Sequence, residues 1–75
     1  MRLSKMQSDN MMAWLGTDIA QRREAAGLTR RQLARKVHLK TDVIHRLELG
    51  EYELSVRELY SIVRTLGLSL REMFP

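Results

Sequence analysis

Residues 29–50 read TRRQLARKVHLKTDVIHRLELG, and the fold follows from this stretch. Thr29 followed three residues later by Gln32 is a capping box, in which each side chain returns a hydrogen bond to the other residue's amide. A helix near 30–37 follows, with Leu33, Ala34 and Val37 on one stripe. Only His38-Leu39-Lys40 separate it from a second helix near 41–48, which turns Ile44 and Leu47 inward. A connection this short makes the two helices cross steeply, and Ala34 supplies the small residue such a crossing needs. With Ile44 and Leu47 facing the core, a rotation of about 100° per residue turns Thr41, Asp42, His45 and Arg46 toward solvent. Eight helical residues span roughly 12 Å, about the width of a DNA major groove.

The boundary signals on either side are helical as well. Ser55/Glu58 and Ser69/Glu72 repeat the capping-box pattern, and Ser8 or Asp9 offers a start further upstream. Gly27, Gly50 and Gly67 fall where periodic segments end. These signals predict a first helix near 10–26, with Leu15, Ile19 and Trp14 inward. They also predict a helix near 56–66 that buries Val56, Leu59, Ile62, Val63 and Leu66, and a short one near 70–74 with Leu70, Met73 and Phe74. No hairpin dipeptide or alternating β-branched run appears. The expected fold class is all-α: a compact five-helix bundle over 10–75 behind a flexible N-terminal arm over 1–9.

Composition agrees with a single small core. The chain has 75 residues, 44% of them hydrophobic and 29% charged. It has no cysteine, which excludes disulfides, thiolate metal sites and cysteine nucleophiles. No apolar run approaches the ~18 residues of a membrane span, and residues 1–10 lack the apolar stretch of a secretion signal. No nucleophile with a neighbouring base, phosphate-cradling glycine loop or metal-ligand cluster stands out, so no enzyme, metal or cofactor is expected. Charge is uneven: the net is +4, yet residues 1–50 carry ten basic and five acidic side chains while 51–75 carry three and four. The densest basic stretch, 22–46, opposes eight Arg and Lys to Glu24 and Asp42 alone. Such asymmetry fits a polyanion partner, and a solvated basic face is the plainer alternative.

From about Leu15 to Phe74 the sequence resembles the Xre/Cro/lambda-repressor-type helix-turn-helix DNA-binding domain. Arg23, Gly27-Leu28-Thr29, Gln32-Leu33-Ala34, Leu39, Ile44, Leu47-Glu48, Gly50, Leu66-Gly67-Leu68-Ser69-Leu70 and Phe74 carry the likeness, in register and without insertion. The resemblance implies phosphate contacts from Thr29, Arg30, Arg31 and Lys40 at the helix starts. It implies base contacts from Thr41, Asp42 and Arg46, with His45 beside them. It also pairs Arg23 with Glu48 as a structural salt bridge. Three positions depart from the family pattern. His38 stands where glycine is usual, Lys40 where Ser or Thr is frequent, and Leu54 near a common proline. Histidine tolerates a left-handed backbone; lysine caps poorly, which passes the expected cap to Thr41.

The implied function is a transcriptional regulator, a repressor by expectation, that reads double-stranded DNA as a homodimer on a palindromic operator. A cytoplasmic, nucleoid-associated location goes with that role. Leu54, Leu68, Met73 and Phe74 form a candidate dimer surface, since with Leu49 and Tyr52 they exceed what so small a core needs. Met11, Met12 and Trp14 suggest helix packing or a partner surface. The competing reading is a protein-interaction module, such as an antitoxin-like or antirepressor partner, that keeps the fold. Asp42 on the outward face and the surplus of apolar side chains favour it.

Overall fold

A computed structural model describes residues 5–68, with side chains from residue 11 onward. Among the described residues there are four helices and no strand: α1 (Lys5–Ala25), α2 (Arg30–Val37), α3 (Thr41–Glu48) and α4 (Val56–Thr65). The fifth helix expected near 70–74, with its Ser69/Glu72 box, lies outside the described residues. α1 starts five residues before the expected position, so residues 5–9 of the expected arm are helical. Lys5, Met6 and Gln7 are good helix formers with no glycine or proline among them, and nothing there stops the helix from extending past Ser8 and Asp9.

α2 packs against both α3 and α4, and α1 packs against α3. Leu15 and Ile19 of α1, Leu33, Ala34 and Val37 of α2, Ile44 and Leu47 of α3, and Ile62 and Val63 of α4 form one buried cluster. Leu39, Tyr52, Leu54, Leu59, Leu66 and Leu68 cover its edges, half-buried. Leu54 and Leu68 therefore have a place against the core, while Met73 and Phe74 lie outside the described residues. Two residues expected inward are not. Trp14 is 46% exposed because Leu15, Ile19 and Arg23, four apart, set the inward stripe of α1. Val56 lies on the same helical face as Val63 but is 81% exposed: it occupies the first position of α4, beyond the end of the core.

Gly16 is buried at the approach of α1 to α3. A β-carbon there would collide with the Leu47 carbonyl oxygen and stand 3.0 Å from that of Glu48. Nothing in the periodicity marks this glycine, which is needed only because two helix backbones meet.

Each helix ends with the same pair of bonds: the amide of a left-handed residue reaches back three residues, and the next amide reaches back five. At α2 these run from His38 N to Arg35 O (3.4 Å) and from Leu39 N to Ala34 O (2.9 Å). The other three ends place glycine in the left-handed region; α2 places His38 there, at φ 59° and ψ 40°. The left-handed backbone costs an L-residue about 1–2 kcal/mol, and glycine's freedom in the unfolded chain offsets about 0.5–1 of that. His38→Gly is expected to gain a few tenths to about 1 kcal/mol. A thermal melt should then rise by up to roughly 8 °C.

Two capping boxes are complete. Gln32 N donates to Thr29 Oγ1 at 3.0 Å, and Thr29 N donates to Gln32 Oε1 at 2.8 Å. At α4, Glu58 N donates to Ser55 Oγ (3.1 Å), Ser55 N donates to Glu58 Oε1 (2.9 Å), and Tyr52 Oη donates to Glu58 Oε2 (2.9 Å). The Ser55 amide, seconded by the Tyr52 hydroxyl, holds the Glu58 carboxyl below its ordinary pKa. The bond to Glu58 in turn raises the Tyr52 phenol. A depressed carboxyl stabilises the fold above its unfolded pKa and loses that contribution as pH falls through its folded value. Glu58→Gln keeps the box in the neutral form already seen at Gln32. The variant should therefore melt below wild type at pH 7, with the difference closing as pH falls through the lowered Glu58 pKa, as thermal melts across the acid range would show.

Candidate nucleic-acid interface

The two helix starts that follow Thr29 and Lys40 open onto one face. Thr29 caps α2, so Arg30 and Arg31 are its first two helical residues, and helix geometry leaves their amides without intrahelical partners. Lys40 caps α3 with extended backbone (φ −74°, ψ 148°) and no side-chain bond. Its carbonyl accepts from the amides of Val43 (3.0 Å) and Ile44 (3.2 Å), which makes Thr41 the first helical residue rather than the cap. Asp42 follows in the first turn, where the positive end of the helix dipole favours a carboxylate.

All eight residues expected to touch DNA are exposed: Thr29, Arg30, Arg31, Lys40, Thr41, Asp42, His45 and Arg46. Six of them, Thr29, Arg30, Arg31, Thr41, Asp42 and His45, line a single depression of about 460 Å³, with Arg23 at its floor. Lys40 and Arg46 are not part of that lining. The result is a concave surface between two helix N-termini, with arginines on one side and a polar helix front on the other. Such a surface suits a phosphate backbone running beside readable base edges.

Beneath it lies the ion pair that the resemblance implied. Arg23 and Glu48 are 6% and 9% exposed. Arg23 Nε donates to Glu48 Oε2 at 2.6 Å and Nη2 to Oε1 at 3.2 Å, while Nη1 donates to the Leu28 carbonyl at 2.7 Å. Those bonds to Glu48 raise the Arg23 pKa further, against the opposing effect of burial. Among the described residues no buried side-chain polar atom lacks a hydrogen-bond partner. Sequence reasoning missed one member: Arg30 Nε also donates to Glu48 Oε1, at 2.8 Å. The two residues lie 18 positions apart, and only the crossing of α2 and α3 brings them together.

No helix among the described residues is long and apolar enough to cross a membrane. The helix-turn-helix family model matches residues 19–73. An uncharacterized HTH-type transcriptional regulator of Archaeoglobus fulgidus is 34% identical over 58 residues, which cover 77% of this chain and 83% of the relative. Two crystal structures of the clp gene regulator ClgR from Corynebacterium glutamicum superpose with a TM-score of 0.80 and 29% identity over 83% of this chain. The chain spans 66% of one ClgR structure and 80% of the other. Motif spacing, helix crossing, the buried Arg23–Glu48 pair and these matches agree, and the chain belongs to the Xre/Cro-type helix-turn-helix family.

Proposed function

We propose that the protein is a sequence-specific DNA-binding transcriptional regulator, with residues 10–75 as its DNA-binding domain, that inserts α3 into the major groove. The observation that carries this reading is the shared depression at the starts of α2 and α3, lined by six of the expected contacts. In this reading Thr29, Arg30, Arg31 and Lys40 hold phosphates, assisted by the free amides at the α2 start. Arg46 forks onto guanine, Asp42 accepts from a cytosine amino group, and Thr41 and His45 complete the base-facing set. The protein acts as a homodimer joined near Leu54, Leu68, Met73 and Phe74, so that two α3 helices enter successive major grooves roughly 34 Å apart on a palindrome. Repression needs no more than occupancy of that operator.

Selection of bound sequences from a random DNA pool tests the reading, with an enriched two-fold symmetric site as the expected outcome. Arg46→Ala should cost roughly 1–3 kcal/mol on the selected site and little on scrambled DNA. Arg30→Ala should weaken both alike, and gel-shift titrations on the two duplexes distinguish these patterns. Equal losses for Arg46→Ala on both duplexes would remove its assignment as a base reader.

The exposed Met11, Trp14, Leu49, Val56 and Tyr60, together with Asp42 on the α3 front, favour a second reading as a protein-binding module. In that case the chain would retard no DNA even at low salt.

A further inference from the structure

Glu48 sits where the buried ion pair and the exposed face meet. Its carboxylate is 3% exposed and accepts three bonds, two from Arg23 and one from Arg30, whose own side chain is 47% exposed. The grip on Arg30 is at Nε, which leaves the four N–H donors of its two terminal nitrogens. One carboxylate charge is shared between two guanidinium charges, so the trio keeps a positive surplus at the lip of the depression. Glu24 reaches Arg23 Nη2 at 3.5 Å, but it is 69% exposed and screened by solvent.

Building on the DNA-binding reading above, we propose that Glu48 is a positioning residue: it holds Arg30 by Nε so that the terminal guanidinium nitrogens are presented to a phosphate. The pair that fastens α1 to α3 thereby also sets the α2 phosphate contact. A guanidinium can serve a carboxylate with one edge and a phosphate with the other. A lysine ammonium carries the same charge on a single nitrogen and has no such fork.

The test measures affinity on the selected duplex as a function of salt for wild type, Arg30→Ala and Arg30→Lys, each in the native and Glu48→Gln backgrounds. In the native background Arg30→Lys should lose about tenfold, close to Arg30→Ala, with the log–log salt slope reduced by about 0.9 in magnitude. In the Glu48→Gln background the loss caused by Arg30→Lys should shrink to about twofold, since the grip is already gone. Wild-type affinity and slope for Arg30→Lys in the native background would overturn the proposal, as would an Arg30→Lys loss of equal size in both backgrounds. If Glu48→Gln does not fold, the native-background comparison of lysine with alanine decides alone. Failure of the wild-type protein itself to bind any duplex would instead overturn the DNA-binding reading on which the proposal rests.

Discussion

Gly16→Ala should cost at least roughly 3 kcal/mol, although alanine is the better helix former by about 1 kcal/mol. The two effects have opposite sign, and contact geometry decides between them. The added methyl would collide with the Leu47 carbonyl and crowd that of Glu48, both in the last turn of α3. Neither is a flexible side chain that can swing aside. Relief requires α1 and α3 to separate, which strips contacts from Leu15, Ile19, Ile44 and Leu47 together. A domain of this length has about 4–11 kcal/mol of stability in total, so the loss would leave a small remainder. Urea denaturation followed by circular dichroism reads this directly. A midpoint at or above that of wild type would mean that the backbones do not meet at Gly16.

The second large effect concerns the Arg23–Glu48 pair. Glu48→Ala leaves the buried Arg23 guanidinium with the Leu28 carbonyl and, at 3.5 Å, the solvent-screened Glu24 carboxylate, and a loss of about 3–5 kcal/mol is expected. Arg23→Ala leaves Glu48 with Arg30 as its remaining partner while opening space at the floor of the depression, and its cost should be of the same order. Replacing both residues by methionine removes both charges and keeps most of the volume. That double variant should lose far less than the two single losses combined, because no orphaned charge remains. Equilibrium urea unfolding of Arg23→Met, Glu48→Met and the double variant forms the cycle. Additive losses would show that the pair contributes nothing beyond its separate side chains.

Both sites bear on what the sequence discloses. α2 is legible to the residue, and α3 apart from its cap (Lys40, not the expected Thr41), because Thr29/Gln32 marks one start and the inward pairs Leu33/Ala34 and Ile44/Leu47 set the phase of each helix. The exposed faces follow from that phase. The start of α1 is not legible, since capping residues at Ser8 and Asp9 can also sit inside a helix when good helix formers precede them. Trp14 and Val56 are misplaced by a reading of the stripe because hydrophobicity identifies what can be buried and not where the core ends. Gly16 and the Arg30–Glu48 contact depend on how separate helices approach, and a reading along one chain has no access to that. The Arg23–Glu48 pair is different: it comes from family likeness, not from spacing.

The outward face of α3 has one more consequence. Thr41, Asp42, His45 and Arg46 are exposed, while Ile44, Leu47 and Glu48 on the same eight-residue rod anchor it from behind. Surface replacements away from caps and ion pairs seldom shift stability by more than about 0.5 kcal/mol. Reprogramming of the front by mutation is thus decoupled from the integrity of the frame: in the DNA-binding reading proposed above, drift at those four positions creates new target preferences without passing through unfolded ancestors.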